Sequence, residues 1–146
     1  MPTILFVVIL GLLGGMAVGI QGPLSSLMSA RLGLLESIFI VHIGGAILVG
    51  LPLLVRGGGN LGGWRSVPWY ALGAGAFGLV VISAVSFTIP RIGVAATVTL
   101  IVAGQLAVST VADHFGWLGA EVRPIDLTRM VGIMVLFVGV WLILRK

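Results

Sequence analysis

The chain has 146 residues, 59% of them apolar and only twelve charged (eight Lys or Arg, four Asp or Glu), and its mean hydropathy is +1.26. Soluble domains carry about a quarter charged residues, so a water-soluble globule is excluded. The basic residues stand singly along the chain, which fits the flanks of membrane helices and not a nucleic-acid-binding patch; with no Cys there is no disulfide framework and no thiolate metal site.

A membrane span needs about 20 predominantly apolar residues, and charges mark where it stops. This rule predicts an all-α integral membrane protein: five transmembrane helices in one compact bundle, a single domain over residues 1–146. The first helix is expected over 3–30, longer than one bilayer thickness, with a kink or interruption near Pro23. Met1-Pro2-Thr3 lacks a basic stretch and Gln21-Gly22-Pro23 is a poor cleavage site, so this run is expected to persist as a helix rather than act as a signal peptide. The second helix is expected over 34–55, between Gly33 and the turn Arg56-Gly57-Gly58-Gly59-Asn60. The third is expected over 66–89, with Trp64, Trp69 and Tyr70 at the interface and Pro90, Arg91 and Gly93 as a tight turn. The fourth, 94–112, stops at Asp113 and His114 before a polar loop containing Glu121, Arg123 and Asp126. The fifth, 127–144, closes with Arg145 and Lys146, and Trp117 and Trp141 read as interfacial anchors. Short connections make successive helices antiparallel neighbours.

Five spans divide the basic residues evenly. Arg56, Arg65, Arg123 and Arg129 fall on one face, and Arg31, Arg91, Arg145 and Lys146 on the other. The positive-inside rule works through an imbalance, so it assigns no orientation here. Either the balance is chance or the chain inserts both ways and pairs with an inverted copy of itself.

The sequence carries Gln21 and Pro23 late in the first helix and Ile89-Pro90-Arg91-Ile92-Gly93-Val94-Ala95 before the fourth. It continues with Ala103-Gly104-Gln105, Asp113-His114-Phe115-Gly116, Arg123-Pro124, and Arg129 through Gly132. Over essentially its whole length it resembles the YdcZ-like inner-membrane family of the drug/metabolite transporter superfamily. It departs from that pattern at Ser25, where the family's Gln-x3-Asn would place Asn, and at Glu36 and His42, where small or apolar residues are expected. The resemblance implies a half-sized transporter in a bacterial inner membrane, moving a small organic solute. It further implies that the first, third and fourth helices line the pathway while the fifth packs at a dimer seam.

No phosphate-binding loop, HExxH or nucleophile–base pairing is present, so no enzyme is expected, and neither a cofactor nor a metal. The informative residues are polar groups within spans, which hydrocarbon cannot solvate. Gln21, Ser25 and Ser29 stand one turn apart on the first helix, and Gln105 and Ser109 repeat the spacing on the fourth. They read either as a polar solute pathway or as interhelical hydrogen bonds. His42 reads as a proton-coupling group or as a buried neutral side chain. Asp113 and His114 with Arg123 and Arg129 read as an interfacial salt bridge or a gate. Gly11, Gly15 and Gly19, like Ala71 with Gly75 and Ala74 with Gly78, have small-xxx-small packing spacing. The expected partners are the lipid bilayer, a small-molecule solute, and an inverted second copy or a paired homologue, with no nucleic acid. The alternatives are a non-transporting membrane scaffold or accessory subunit, and one half of an obligate heteromeric transporter.

Overall fold

The computed structural model describes the backbone of residues 2–145 and the side chains of residues 4–145; Met1 and Lys146, both used above, lie outside them. The helices are α1 (Pro2–Leu32), α2 (Leu34–Val55), α3 (Trp69–Leu72), α4 (Ala76–Ile92), α5 (Val94–Phe115) and α6 (Leu127–Leu144). Short 3-10 turns occupy Leu61–Ser66, Gly73–Gly75 and Trp117–Gly119. The second of these turns joins α3 to α4 in one span, Trp69–Ile92, so five stretches are long and apolar enough to cross a membrane. No strand occurs among the described residues.

Few side chains are buried. Ile38, Ile82, Val85, Ala96, Ala103 and Val140 are the buried apolar residues, while Leu48, Leu54 and Val55 are 75%, 75% and 89% exposed. In water such a fold would not hold. In hydrocarbon an exposed leucine is already in a matching solvent, and the backbone becomes the group that must be satisfied internally. That requirement explains why α1 continues unbroken through Pro23, since the ring removes only the N–H that would bond the Gly19 carbonyl. Pro52 in α2 and Pro90 in α4 are absorbed in the same way.

Besides α1, which covers Pro2–Leu32 where 3–30 is expected, three boundaries differ from those expected. Pro90 and Arg91 form the last turn of α4 and leave only Gly93 as the turn. Asp113 and His114 belong to the last turn of α5, which ends where Gly116 takes a left-handed conformation at φ 66°. Helix ends at the interface tolerate charge because long polar side chains there reach the headgroups. The third span begins at Trp69, since Val67 and Pro68 are extended at ψ 134° and 135°; a residue before proline disfavours the helical region. The fifth span matches its expected bounds, with Asp126 as N-cap: its carboxylate accepts the Arg129 N–H at 2.7 Å.

The chain divides into two compact units, residues up to Pro90 and residues from Arg91 on. In the first, α1 and α2 form a hairpin joined by Gly33 alone; in the second, α5 packs against α6. Gly33 has φ 114° and ψ 157°, and Gly93, the single residue between α4 and α5, has φ 84° and ψ 168°. This region is essentially closed to residues with a Cβ. The two turns repeat one pattern: Arg31-Leu32-Gly33 with Ser37 four positions past the glycine, and Arg91-Ile92-Gly93 with Thr97 four positions past it. In each, the glycine carbonyl accepts the N–H of the hydroxyl residue, at 3.1 and 3.2 Å, and a 22-residue helix follows. Ser37 is 0% and Thr97 1% exposed.

Candidate functional site

Hydroxyl groups in hydrocarbon normally bond back to their own helix, and Thr88, Thr99 and Thr110 do so, each donating to the carbonyl four residues earlier at 2.7 Å. The interior hydroxyls of the first unit behave differently. Ser37 Oγ on α2 donates to the Ser25 carbonyl of α1 at 3.0 Å, tying the hairpin one turn inside Gly33. Ser25 and Ser26 are themselves buried, and Ser25 Oγ makes no hydrogen bond. On the α1 face that carries Gly22, a Cβ would lie 3.5 Å from Val85 and 3.8 Å from Ile89 of α4, at ordinary van der Waals contact, so α4 packs on this face. Beside Val85, Ser86 Oγ is a second buried hydroxyl without a partner. In the second unit the equivalent of Ser37, Thr97, has an unbonded Oγ1 as well. Unpaired buried hydroxyls cost about 1–3 kcal/mol each, so three of them mark places where stability has been given up.

The Gln21–Ser25–Ser29 stripe does not act as one surface. Ser25 is buried, Ser29 is half-buried with its carbonyl accepting the Gly33 N–H at 3.1 Å, and Gln21 is exposed. A four-residue step advances about 40° around a helix, enough to carry Gln21 clear of the α1–α2 contact. Gln105 and Ser109 remain together on the exposed side of α5.

His42 is exposed. Its Nδ1 lies 2.7 Å from the Ile38 carbonyl, which can only accept, so Nδ1 carries the proton. The other ring nitrogen, Nε2, rests on Gly78 of α4, where a Cβ would come within 2.5 Å of it. Gly78 therefore has a specific neighbour, whereas Gly11, Gly15 and Gly19 have no atom within 4 Å of where a Cβ would stand. Their stripe closes no seam among the described residues of this chain.

At the far end of α5 the four interfacial candidates do come together. Arg129 lies 3.5 Å from the Asp113 carboxylate and donates to the Arg123 carbonyl at 3.0 Å. The Arg123 N–H bonds the Asp113 carbonyl at 2.8 Å, and the Ile125 N–H donates to His114 Nδ1 at 3.1 Å. His114 thus accepts through Nδ1, the reverse of His42. Phe115 stacks on Trp117 at 5.3 Å, and Arg145 lies 4.9 Å above the Trp141 ring, as interfacial anchors do. Arg123 also pairs with Glu121 at 2.8 Å; that hydrogen bond and the charge behind it hold the Glu121 carboxyl below its ordinary range and raise the guanidinium.

Sequence reasoning missed Ser26, Ser37, Ser86 and Thr97, and read Gly78 as a packing residue without its neighbour His42. The signal for two of them was present in the duplicated Arg-x-Gly-x3-Ser/Thr, but burial of a hydroxyl depends on which helix faces meet. Among the described residues no three His, Asp or Glu side chains come together as a metal site.

Residues 6–142 match the family model described as "Putative inner membrane exporter, YdcZ". No curated protein and no solved structure matches the chain.

Proposed function

Because the chain belongs to the YdcZ inner-membrane exporter family, we propose that it is a half-sized exporter, working by alternating access as an inverted homodimer in a bacterial inner membrane. The observation that carries this reading is the position of its two span amides. Gln21 lies twelve residues before Gly33 and Gln105 twelve residues after Gly93, and both are exposed on the protomer. At 1.5 Å of rise per residue, each stands about 18 Å from its turn, near the middle of a hydrocarbon core about 30 Å thick. An amide facing lipid at that depth is costly, so the exposed faces of α1 and α5 require cover by a second copy or by a water-filled path.

An inverted partner suits this depth. A two-fold axis in the membrane plane exchanges the two faces, so only groups near the midplane keep their level and meet their equivalents. The even division of basic residues and the open Gly11, Gly15 and Gly19 stripe support the same arrangement. The transported species is a small organic molecule with hydrogen-bonding groups, held by amides and hydroxyls rather than by a buried carboxylate.

The absence of Cys allows a direct test. A thiol introduced as Asn60→Cys, in an exposed turn, is labelled in intact cells with a membrane-impermeant reagent against a permeabilised control. Labelling of about half the molecules is expected. Complete labelling or none refutes the inverted homodimer and directs the search to an oppositely oriented homologue.

A further inference from the structure

Glu36 plays no part in the proposed pathway, and it breaks the pattern of the spans. The other three acids are engaged: Asp113 with Arg129, Glu121 with Arg123, and Asp126 with the Arg129 N–H. Glu36 has no ion pair or hydrogen bond among the described residues; its carboxylate lies over Gly33, at the N-terminal end of α2. Beside it Leu35, Phe39 and Ile40 of the same helix, 74%, 67% and 41% exposed, make a shallow, open apolar surface. The remaining charge of this hairpin end is Arg31, two residues before Gly33, also exposed and without a partner among the described residues.

Three features identify what fits here. The carboxylate is three residues past the turn, about 4.5 Å along the axis, which is the boundary between headgroups and hydrocarbon rather than the depth of a midplane site. The surface beside the carboxylate is apolar and open, so its occupant has an apolar body lying in the membrane. The two unpaired charges are opposite in sign, which matches a zwitterion carrying a cation and an anion together.

We propose that this end of the α1–α2 hairpin binds a phospholipid with a primary-ammonium headgroup. The ammonium donates to Glu36, the phosphate faces Arg31, and an acyl chain lies along Phe39 and Ile40. A primary ammonium offers three N–H donors to the carboxylate, whereas a trimethylammonium headgroup of the same charge offers none. The site therefore discriminates between two lipids of identical net charge. This inference is independent of the exporter reading.

The test uses the full chain reconstituted in vesicles of phosphatidylethanolamine and phosphatidylcholine in equal amounts with a constant fraction of phosphatidylglycerol. The protein is extracted in mild detergent and its bound lipid measured by native mass spectrometry. The ethanolamine lipid is expected to be retained about threefold over the choline lipid, the ratio of one exposed charge-assisted hydrogen bond. Glu36→Gln, which keeps the shape of the side chain, is expected to abolish the preference. Equal retention by the wild type overturns the proposal without recourse to any variant, and so does a preference that survives in Glu36→Gln. Binding of tetraphenylphosphonium that is lost in Glu36→Gln, with no preference between the two lipids, also overturns it and assigns the surface to a cationic solute.

Discussion

Replacing Gly93 with Ala isolates a single physical effect. The residue sits at φ 84° and ψ 168°, and a Cβ added there meets no atom within 4 Å. Its cost is therefore backbone strain alone, about 1–3 kcal/mol for a non-glycine residue in this region. Gly33→Ala carries the same strain at φ 114° and ψ 157°, together with a collision with the Glu36 carboxylate. That carboxylate is the far end of a flexible side chain and can turn away, so the added cost is expected to stay within about 1 kcal/mol. Unfolding free energies from denaturant titration in mixed micelles give both numbers. Introducing Gly33→Ala into a Glu36→Ala background should bring its cost within about 0.5 kcal/mol of that of Gly93→Ala. A Gly93→Ala variant that loses less than about 0.5 kcal/mol would show that the turn has a second backbone solution and would refute the argument for both sites.

Gly78→Ala places a methyl group against His42 Nε2 and is expected to cost about 1–3 kcal/mol; His42→Ala should recover most of it, and independent additive losses would disprove the contact. In a His114→Gln variant the one remaining imidazole should show the Nδ1–H tautomer by 15N NMR at neutral pH, and an Nε2–H signal would contradict the bond to Ile38. Leu118 has φ 58° and is 79% exposed, so Leu118→Gly should raise thermal stability, by about 1 kcal/mol; a lowered Tm would mean that the side chain anchors the loop. Glu121 has its folded pKa depressed below 4.5, so its pair with Arg123 contributes above that value and is lost as pH falls through the folded pKa. The pair is fully exposed, so the stability difference between wild type and Glu121→Gln should be small at pH 7, vanish once the pH is below the folded pKa and shrink in high salt; a difference that grows with acid would reverse the sign argued here.

The five spans were legible because apolar runs between charges are dictated by bilayer thickness, a constraint that acts through composition alone. Boundary errors arose where rules for soluble helices were applied. Pro90 ends helices in water more firmly than in lipid, and Asp113 and His114 can remain helical because their side chains sit at the interface. The candidate residues were harder to place. Spacing put Gln21 and Ser25 on one face, but only packing determines that one is covered by α2 and the other is not. Ser37 and Ser26 looked like ordinary small residues, and Gly78 like part of a packing stripe, until a carbonyl and an imidazole were found against Ser37 and Gly78. The Asp113–Arg129 pairing was recoverable because both charges flank the one loop between α5 and α6, which leaves them few other partners.

A hairpin whose connection is a single residue has almost nothing to carry across a membrane. When α1 and α2 insert together, Arg31 is the one basic group near the tip, and Arg91 is the one basic group beside Gly93. On the inverted-homodimer proposal such a hairpin enters the bilayer tip-first from either side at similar cost, and the segments at 56–68 and 116–126 decide which way the whole chain faces. If the chain inserts both ways as proposed, one or two lysines added to either segment should turn the mixed population into a uniform one without touching any packed residue.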